Sequence, residues 1–275
     1  MRADTYQNSD RLSGTDASKN EEYLTAARLS DAAGRCYNRG TPVFTDFLDI
    51  NRQSVFTAFS SGEKGIFGFK MPPVSCVMSG GYDLAERKVI IFLPYEDFPY
   101  EVPFDIIKIS PVNIRFAEEL THRDYLGAVM GLGIVRDKFG DIIVARDGAY
   151  IIALKSITPY ITDNLNQVKH TAVTAEVTDY NDFSYVPDFK EIRGTVASLR
   201  LDSVIALGFG GSRSRLISYI ENGKVAVNGK IITSNAYSLK PEDIVSVRGL
   251  GRIKFISSGA LTKKGRTVVV LHKYI

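Results

Sequence analysis

The chain has 275 residues, 44% of them hydrophobic and 24% charged, which is more than one compact core usually takes, so two or three domains are expected. That composition excludes native disorder, and the most apolar runs, residues 88–94 and 267–271, fall far short of the ~18–20 residues of a membrane span. The formal charge of +3 conceals an asymmetry, because residues 191–275 carry 14 Lys or Arg against 5 Asp or Glu while residues 1–190 carry 20 against 26. A basic module that meets a polyanion is one reading of this split; a solvated basic face with no partner is the other.

Residues 1–20 are polar, rich in Asp, Asn, Ser and Thr, and read as a loose tail without an apolar signal segment, which implies a cytoplasmic location. A small α+β domain is expected over 21–100. Leu24, Ala27 and the apolar positions within 29–33 predict a helix over 20–38, ended by Asn38-Arg39-Gly40. Thr41-Pro42, an N-cap and N1 pair, predicts a second helix through Val43-Phe44, Phe47-Leu48 and Ile50. Strands follow over 74–78 and 88–93, joined across Gly80-Gly81.

The pattern changes over 101–180. Residues 104–109 read as a strand and 121–131 as a helix. Two β-rich runs, 141–146 and 150–154, flank the hairpin signal Asp147-Gly148. Residues 156–168 have helical spacing, and 171–177 alternate as a strand. The order βαββαβ predicts a central ferredoxin-like, RRM-like domain. The aromatic stacking motif of an RNA-recognition sheet is absent from these strands, so RNA binding here does not follow from the architecture. Residues 181–196 read as a linker, with a structured loop packed between domains as the alternative, given Phe183, Tyr185 and Phe189.

Residues 197–275 are the most informative. Leu201, Val204-Ile205 and Leu207 form one helical stripe, broken at 208–211. Ser212 caps a second helix bearing Leu216-Ile217 and Ile220, and Asn222-Gly223 stops it. Val225-Ala226-Val227 and residues 230–232 flank Asn228-Gly229, a type I′ hairpin signal, and Lys240-Pro241-Glu242-Asp243 turns the chain into 244–248. A final hairpin is expected from 253–257 and 267–274 around Lys263-Lys264-Gly265-Arg266. Its tip adds three cations, with a plain solvated turn as the equal alternative.

Arg200-Leu201-Asp202, Ser212-Arg213-Ser214, Ile220 with Gly223, Val225-x-Val227-Asn228-Gly229 and Asp243-Ile244-x-x-Val247 together resemble the S4 RNA-binding domain, over 197–255. Physical reading agrees. Arg213 and Arg215 fall in the first turn of a helix whose unpaired amides and positive dipole end favour phosphate, and their guanidinium forks add bidentate contacts. The two lie ~200° apart about the axis, so they would straddle a groove or grip two strands. Ser212, Ser214, Asn228, Lys230, Arg200, Lys224, Arg248, Arg252 and Lys254 extend the expected RNA-binding set, with Gly249 and Gly251 letting backbone approach RNA. Ion pairing with Asp202 or Glu221 is the structural alternative for Arg200 and Lys224.

No catalytic constellation is expected. His122-Arg123-Asp124 resembles a kinase catalytic loop, but the chain lacks a downstream Asp-Phe-Gly and a glycine-rich phosphate loop. Thr121 and Asp124 read instead as a capping box with Asp in place of Glu. His122, His170 and His272 are far apart and lack metal-ligand spacing, and Cys36 and Cys76 read as reduced, inert thiols. No metal and no cofactor are expected. Pseudouridine synthases and tyrosyl-tRNA synthetase carry S4 domains, yet their catalytic and ATP-binding signatures are missing.

Residues 120–128, Leu-Thr-His-Arg-Asp-Tyr-Leu-Gly-Ala, continue through Gly131-Leu132-Gly133-Ile134 and Arg136-Asp137 to Gly140-Asp141-Ile142. With Arg248-Gly249-x-Gly251-Arg252 they resemble the YlmH family from about 104 to 255. The resemblance implies a monomeric bacterial protein that binds ribosomal RNA and tRNA on the large ribosomal subunit. It further implies work beside ribosome-rescue factors in stalled translation, supporting C-terminal alanine tailing of the nascent chain without being an enzyme itself. The family also carries a cell-division association through neighbouring genes. An RNA-modifying enzyme that uses S4 for substrate delivery, and a cell-division interaction protein, are the competing readings.

Overall fold

The computed structural model describes residues 14–61, 66–179, 183, 185 and 188–274. It divides into two compact units, one of residues 1–45, 55–78 and 90–101, the other of residues 46–54, 79–89 and 102–275. The segments expected as the central and S4 domains both fall in the second. Residues 1–13 of the expected tail lie outside the described residues.

In the first unit, α1 (Gly14–Arg39) begins within the expected tail and buries Ala26, Leu29, Ala33 and Cys36 along one stripe. Burial also pushes the Cys36 thiol up, and both cysteines are free. The helix expected from Thr41 is replaced by β1 (Val43–Phe44), and α2 (Ile50–Ser60), whose residues 50–54 belong to the second unit, starts only after the Asp49 side chain accepts the Arg52 amide at 3.0 Å. Val and Phe favour a strand. Their partner is the central strand of the sheet β1-β3-β2, made with β2 (Ser75–Ser79) and the wholly buried β3 (Val89–Leu93).

The second unit contains the expected βαββαβ order: β4 (Phe104–Pro111), α3 (His122–Gly131), β5 (Phe139–Ala145), β6 (Gly148–Leu154), α4 (Thr158–Asn164) and β8 (Thr171–Thr178), with the short β7 (Gln167–Val168) before β8. The antiparallel sheet runs β5-β6-β4-β8-β7, which places the first and third strands at its centre. Tyr125, Val129, Ile161 and Leu165 cover one face over Ile107, Ile109, Ala149 and Ile151.

The β5–β6 turn sits one residue earlier than expected. Ala145 pairs with Gly148, leaving Arg146-Asp147 as the loop. Gly148 has φ 146°, and a Cβ there would meet the Ile109 carbonyl oxygen at 1.9 Å, so the glycine serves the crowded strand rather than the turn.

The second face of this sheet is also apolar. Phe104, Ile106, Ile152 and Leu154 are buried, under residues 46–54 and 79–89 of the same unit. The Phe47 ring lies 5.8 Å from that of Phe104. A Cβ on Gly81 would come within 2.9 Å of Ile152 Cδ1, and one on Gly140 within 2.7 Å of the Phe47 ring, so both glycines permit close approach.

Two carboxylates pin the covering segments. Asp137 pairs with Arg52 at 2.6 Å and Arg87 at 3.1 Å. Asp141 accepts from the Tyr82 hydroxyl at 2.9 Å and from the amides of Glu86 and Arg87 at 2.6 and 3.1 Å. Burial, then the Asp141 charge, pushes the Tyr82 phenol up.

At the start of α3, Asp124 accepts from the Thr121 amide at 2.8 Å and its hydroxyl at 2.7 Å, as the capping reading expected. The Thr121 hydroxyl and amide, with Lys169 adding, hold the Asp124 carboxyl down to about 2. A carboxyl depressed in the folded state stabilises it fully above the unfolded value of ~3.9 and loses that contribution as pH falls through the folded value. NMR titration of the Asp124 carboxyl should therefore stay flat from pH 7 to 4 and turn near pH 2, and a midpoint near 4 would contradict the cap.

The C-terminal part holds β9 (Phe189–Val196), α5 (Leu201–Phe209), α6 (Arg213–Glu221), β10 (Val225–Val227), β11 (Lys230–Ile231), β12 (Ile244–Val247), β13 (Gly251–Leu261) and β14 (Thr267–Tyr274). Its sheet runs β11-β10-β12-β13-β14-β9. The expected linker is corrected over 189–196, an edge strand paired along β14 from Tyr274↔Phe189 to Thr267↔Val196, while residues 181, 182, 184, 186 and 187 of it lie outside the described residues. Its outward-facing Lys190, Glu191 and Arg193 masked the strand in the sequence.

Candidate nucleic-acid interface

Helices α5 and α6 pack on one face of this sheet. Leu201, Val204, Ile205, Leu216 and Ile220 share a core with Val225, Val227, Val245, Val247, Ile253 and Phe255. The corner between the helices is made by Gly210, left-handed at φ 66°, which caps α5. Ser212 caps α6, its hydroxyl accepting the Arg215 amide at 3.4 Å and lying 3.3 Å from that of Ser214. The start of α5 is fixed by the Leu201 amide bonding Tyr237 O at 2.8 Å.

Asp202 organises the cations at this corner. Its carboxylate is 2% exposed and takes Arg213 Nη2 at 2.6 Å and Arg200 Nε at 3.3 Å. Burial pushes the Asp202 carboxyl up, but the hydrogen bond and charge of Arg213, then Arg200 and Ser203, outweigh it and hold it below the ordinary carboxylate value. Arg213 stays 53% exposed, so one edge of its fork is oriented by Asp202 while the rest faces solvent. Arg215 is exposed and its guanidinium has no partner among the described residues. The sequence reading had placed Arg200 with Asp202 as an alternative; it missed that Arg213 shares the same carboxylate.

The other expected residues differ in what they touch. Lys230 is exposed beside the Asn228-Gly229 turn, whose φ values of 49° and 78° are those of a type I′ hairpin. Asn228 itself is spent on the fold: its Nδ2 donates to Asp243 at 2.8 Å and its Oδ1 accepts the Ile244 amide at 2.9 Å. Lys224 does not pair with Glu221; its Nζ lies 5.4 Å from the Tyr219 ring centre. Arg248 is exposed, its amide bonded to Lys224 O at 2.9 Å.

Like Asn228, two further members are engaged within the protein. Arg252 is 17% exposed and donates to the Leu84 carbonyl, with Glu86 Oε1 at 3.4 Å, so it holds residues 79–89 against the sheet. Lys254 is 30% exposed and pairs with Glu242 at 2.6 Å. At the final hairpin, Arg266 donates to Thr195 O at 2.6 Å and Oγ1 at 3.0 Å, while Lys263 and Lys264 remain exposed at the tip.

The opposite face of the sheet, carrying Ala226, Ile231 and Ser246 in register, opens on a cleft of about 350 Å³. Arg87, Arg136, Lys224 and Arg248 line it. Burial, then Arg87 beside it, lowers Arg136 to about 10, against the opposing charges of Asp141, Asp137 and Glu86, which leaves it charged at neutral pH. Sequence reasoning missed Arg87 and Arg136 because they lie 137 and 88 positions before Lys224.

Residues 99–182 match the family described as "Putative RNA-binding domain in YlmH", and residues 199–245 match the S4 domain. The chain is 34% identical over 233 residues, 83% of its length and 86% of the relative's, to "Ribosome-associated protein quality control protein P2" of Bacillus subtilis (strain 168). It is 33% identical over 73 residues, 24% of its length and 35% of the relative's, to "Small ribosomal subunit protein uS4" of Chromohalobacter salexigens. Among solved structures, "Cell division protein ylmH from Streptococcus pneumoniae" matches with a TM-score of 0.43 at 22% identity, over 65% of this chain and 98% of that one. With an S4 domain behind the matched βαββαβ segment, and a relative sharing a third of its residues over most of both lengths, the chain belongs to the YlmH family.

Proposed function

We propose that this protein binds structured RNA on the ribosome, taking ribosomal RNA of the large subunit and tRNA, and acts in the rescue of stalled translation that ends in alanine tailing. It does so without covalent chemistry, in the cytoplasm, as a monomer beside other rescue factors. The observation that carries the reading is the helix corner. Arg213 is aimed by a buried carboxylate, Arg215 stands free, and both occupy the first turn of a nine-residue helix whose unpaired amides and dipole favour phosphate. The name of the Bacillus subtilis relative supports the ribosomal setting.

Binding of this kind reads phosphate position and helix shape, because A-form RNA offers side chains its backbone and shallow minor groove. Arg200, Arg213, Arg215 and Lys230 supply the contacts, with Ser212 and Ser214 beside them. Arg252, Lys254 and Asn228 serve the fold. If about five phosphates are neutralised, log affinity should fall against log salt with a slope of about −3.5 to −4.5. Gradient sedimentation of tagged full-length protein tests the setting: co-migration with the large subunit at low salt, lost as salt rises, is expected. Salt-independent association, or none, would overturn the reading.

A further inference from the structure

The cleft on the sheet face opposite α5 and α6 has the size and lining of a nucleotide site. Its volume of about 350 Å³ lies within the range of ~300–1,000 Å³ typical of small-ligand pockets. One wall is apolar, from Ile50, Ala226 and Ile231; the rim is cationic. Of its acidic lining, Glu86 lies 3.4 Å from Arg252 and Asp49 caps α2. Of its cations, Lys224 and Arg248 make no ion pair with any described residue, and Arg87 carries an Nε that is buried without an acceptor. The excess charge is positive and the wall beside it is apolar, which suits a ligand with an apolar face joined to a phosphate.

We propose that this cleft receives one unpaired nucleotide extruded from the bound RNA, the base against the partly exposed Ile231 and the phosphate between Lys224 and Arg248. The site is separate from the helix corner, since Ala226 and Ser246 point away from the core that α5 and α6 cover. The corner then holds a helix by its backbone, while the cleft selects helices that carry a bulge. This proposal rests on the RNA-binding reading above.

The test uses full-length protein, two RNA hairpins identical except for one unpaired nucleotide in the stem, and adenosine 5′-monophosphate as a free probe. Wild type is expected to prefer the bulged hairpin by about tenfold, the worth of one charge-assisted contact. The pair Lys224→Ala and Arg248→Ala, and separately Ser246→Phe, which fills the cleft, should abolish the preference. Thermal melting should show both variants folded, and Arg215→Glu should weaken both hairpins alike. Equal binding of the two hairpins by wild type, or a preference that survives both cleft variants, overturns the cleft while leaving RNA binding in place. If neither hairpin binds, the RNA reading fails. Saturable, Lys224- and Arg248-dependent binding of the free nucleotide would then sustain the cleft as a site for that chemistry, and no such binding would overturn it too.

Discussion

Replacing Asp137 by alanine should cost about 3 kcal/mol of stability, more than any change at an exposed cation of the interface. Asp137 faces Arg52 and Arg87, whose side chains are only 22% and 12% exposed. Removing it takes the Asp137 carboxylate from two guanidinium groups that are largely out of water, and the desolvation already incurred is not recovered. Arg52→Ala should cost far less, because the Asp137 to Arg87 pair survives it. Urea unfolding of the three proteins gives the comparison. Hydrogen exchange should locate the damage in residues 46–54 and 79–89, which Asp137 and Asp141 hold in place. Equal losses for the two variants would mean that the carboxylate is not the organiser of this cluster.

Arg215→Glu should weaken RNA binding about tenfold near physiological salt and lower the magnitude of the salt slope by about 1, with no loss of stability. Arg215 has no partner among the described residues to forfeit. The same reversal at Arg213 is a different experiment, because it sets a second carboxylate against the buried Asp202 and removes that group's best donor at 2.6 Å. Arg213→Glu should therefore melt at lower temperature as well as bind less. Arg213→Lys separates the effects: charge is kept, but the planar fork that serves Asp202 and a phosphate at once is lost. An Arg215→Glu protein with unchanged affinity and slope would remove the corner from the interface.

What could be read from sequence was local. The Asn228-Gly229 hairpin, the Ser212 cap and the Thr121 to Asp124 box rest on residues within three or four positions of each other, and each stands where expected. The order βαββαβ was legible because each element carries its own periodicity. Non-local commitments were not. Nothing near Arg252 announces that its guanidinium reaches Leu84, 168 residues away, so it read as one more RNA contact. Val43-Phe44 carries no sign that β3 needs a neighbour, and a Thr-Pro pair ahead of it suggested a helix. Strand β9 was hidden for another reason: an edge strand exposes charged side chains, which dilute the alternation that marks a half-buried one. The cleft was invisible because its lining comes from six separated stretches of chain.

The central sheet has apolar side chains on both sides, and the segments that shelter one of them come from earlier in the chain. An expression fragment cut at the family boundaries, residues 99–182, would leave Phe104, Ile106 and Ile152 bare to water. Such a piece would present a sticky slab resembling an oligomer surface, and self-association of the excised fragment would say nothing about the intact protein. The same packing ties distant positions together: a bulkier residue at position 81 or 140 would need room made at Ile152 or Phe47, dozens of positions away.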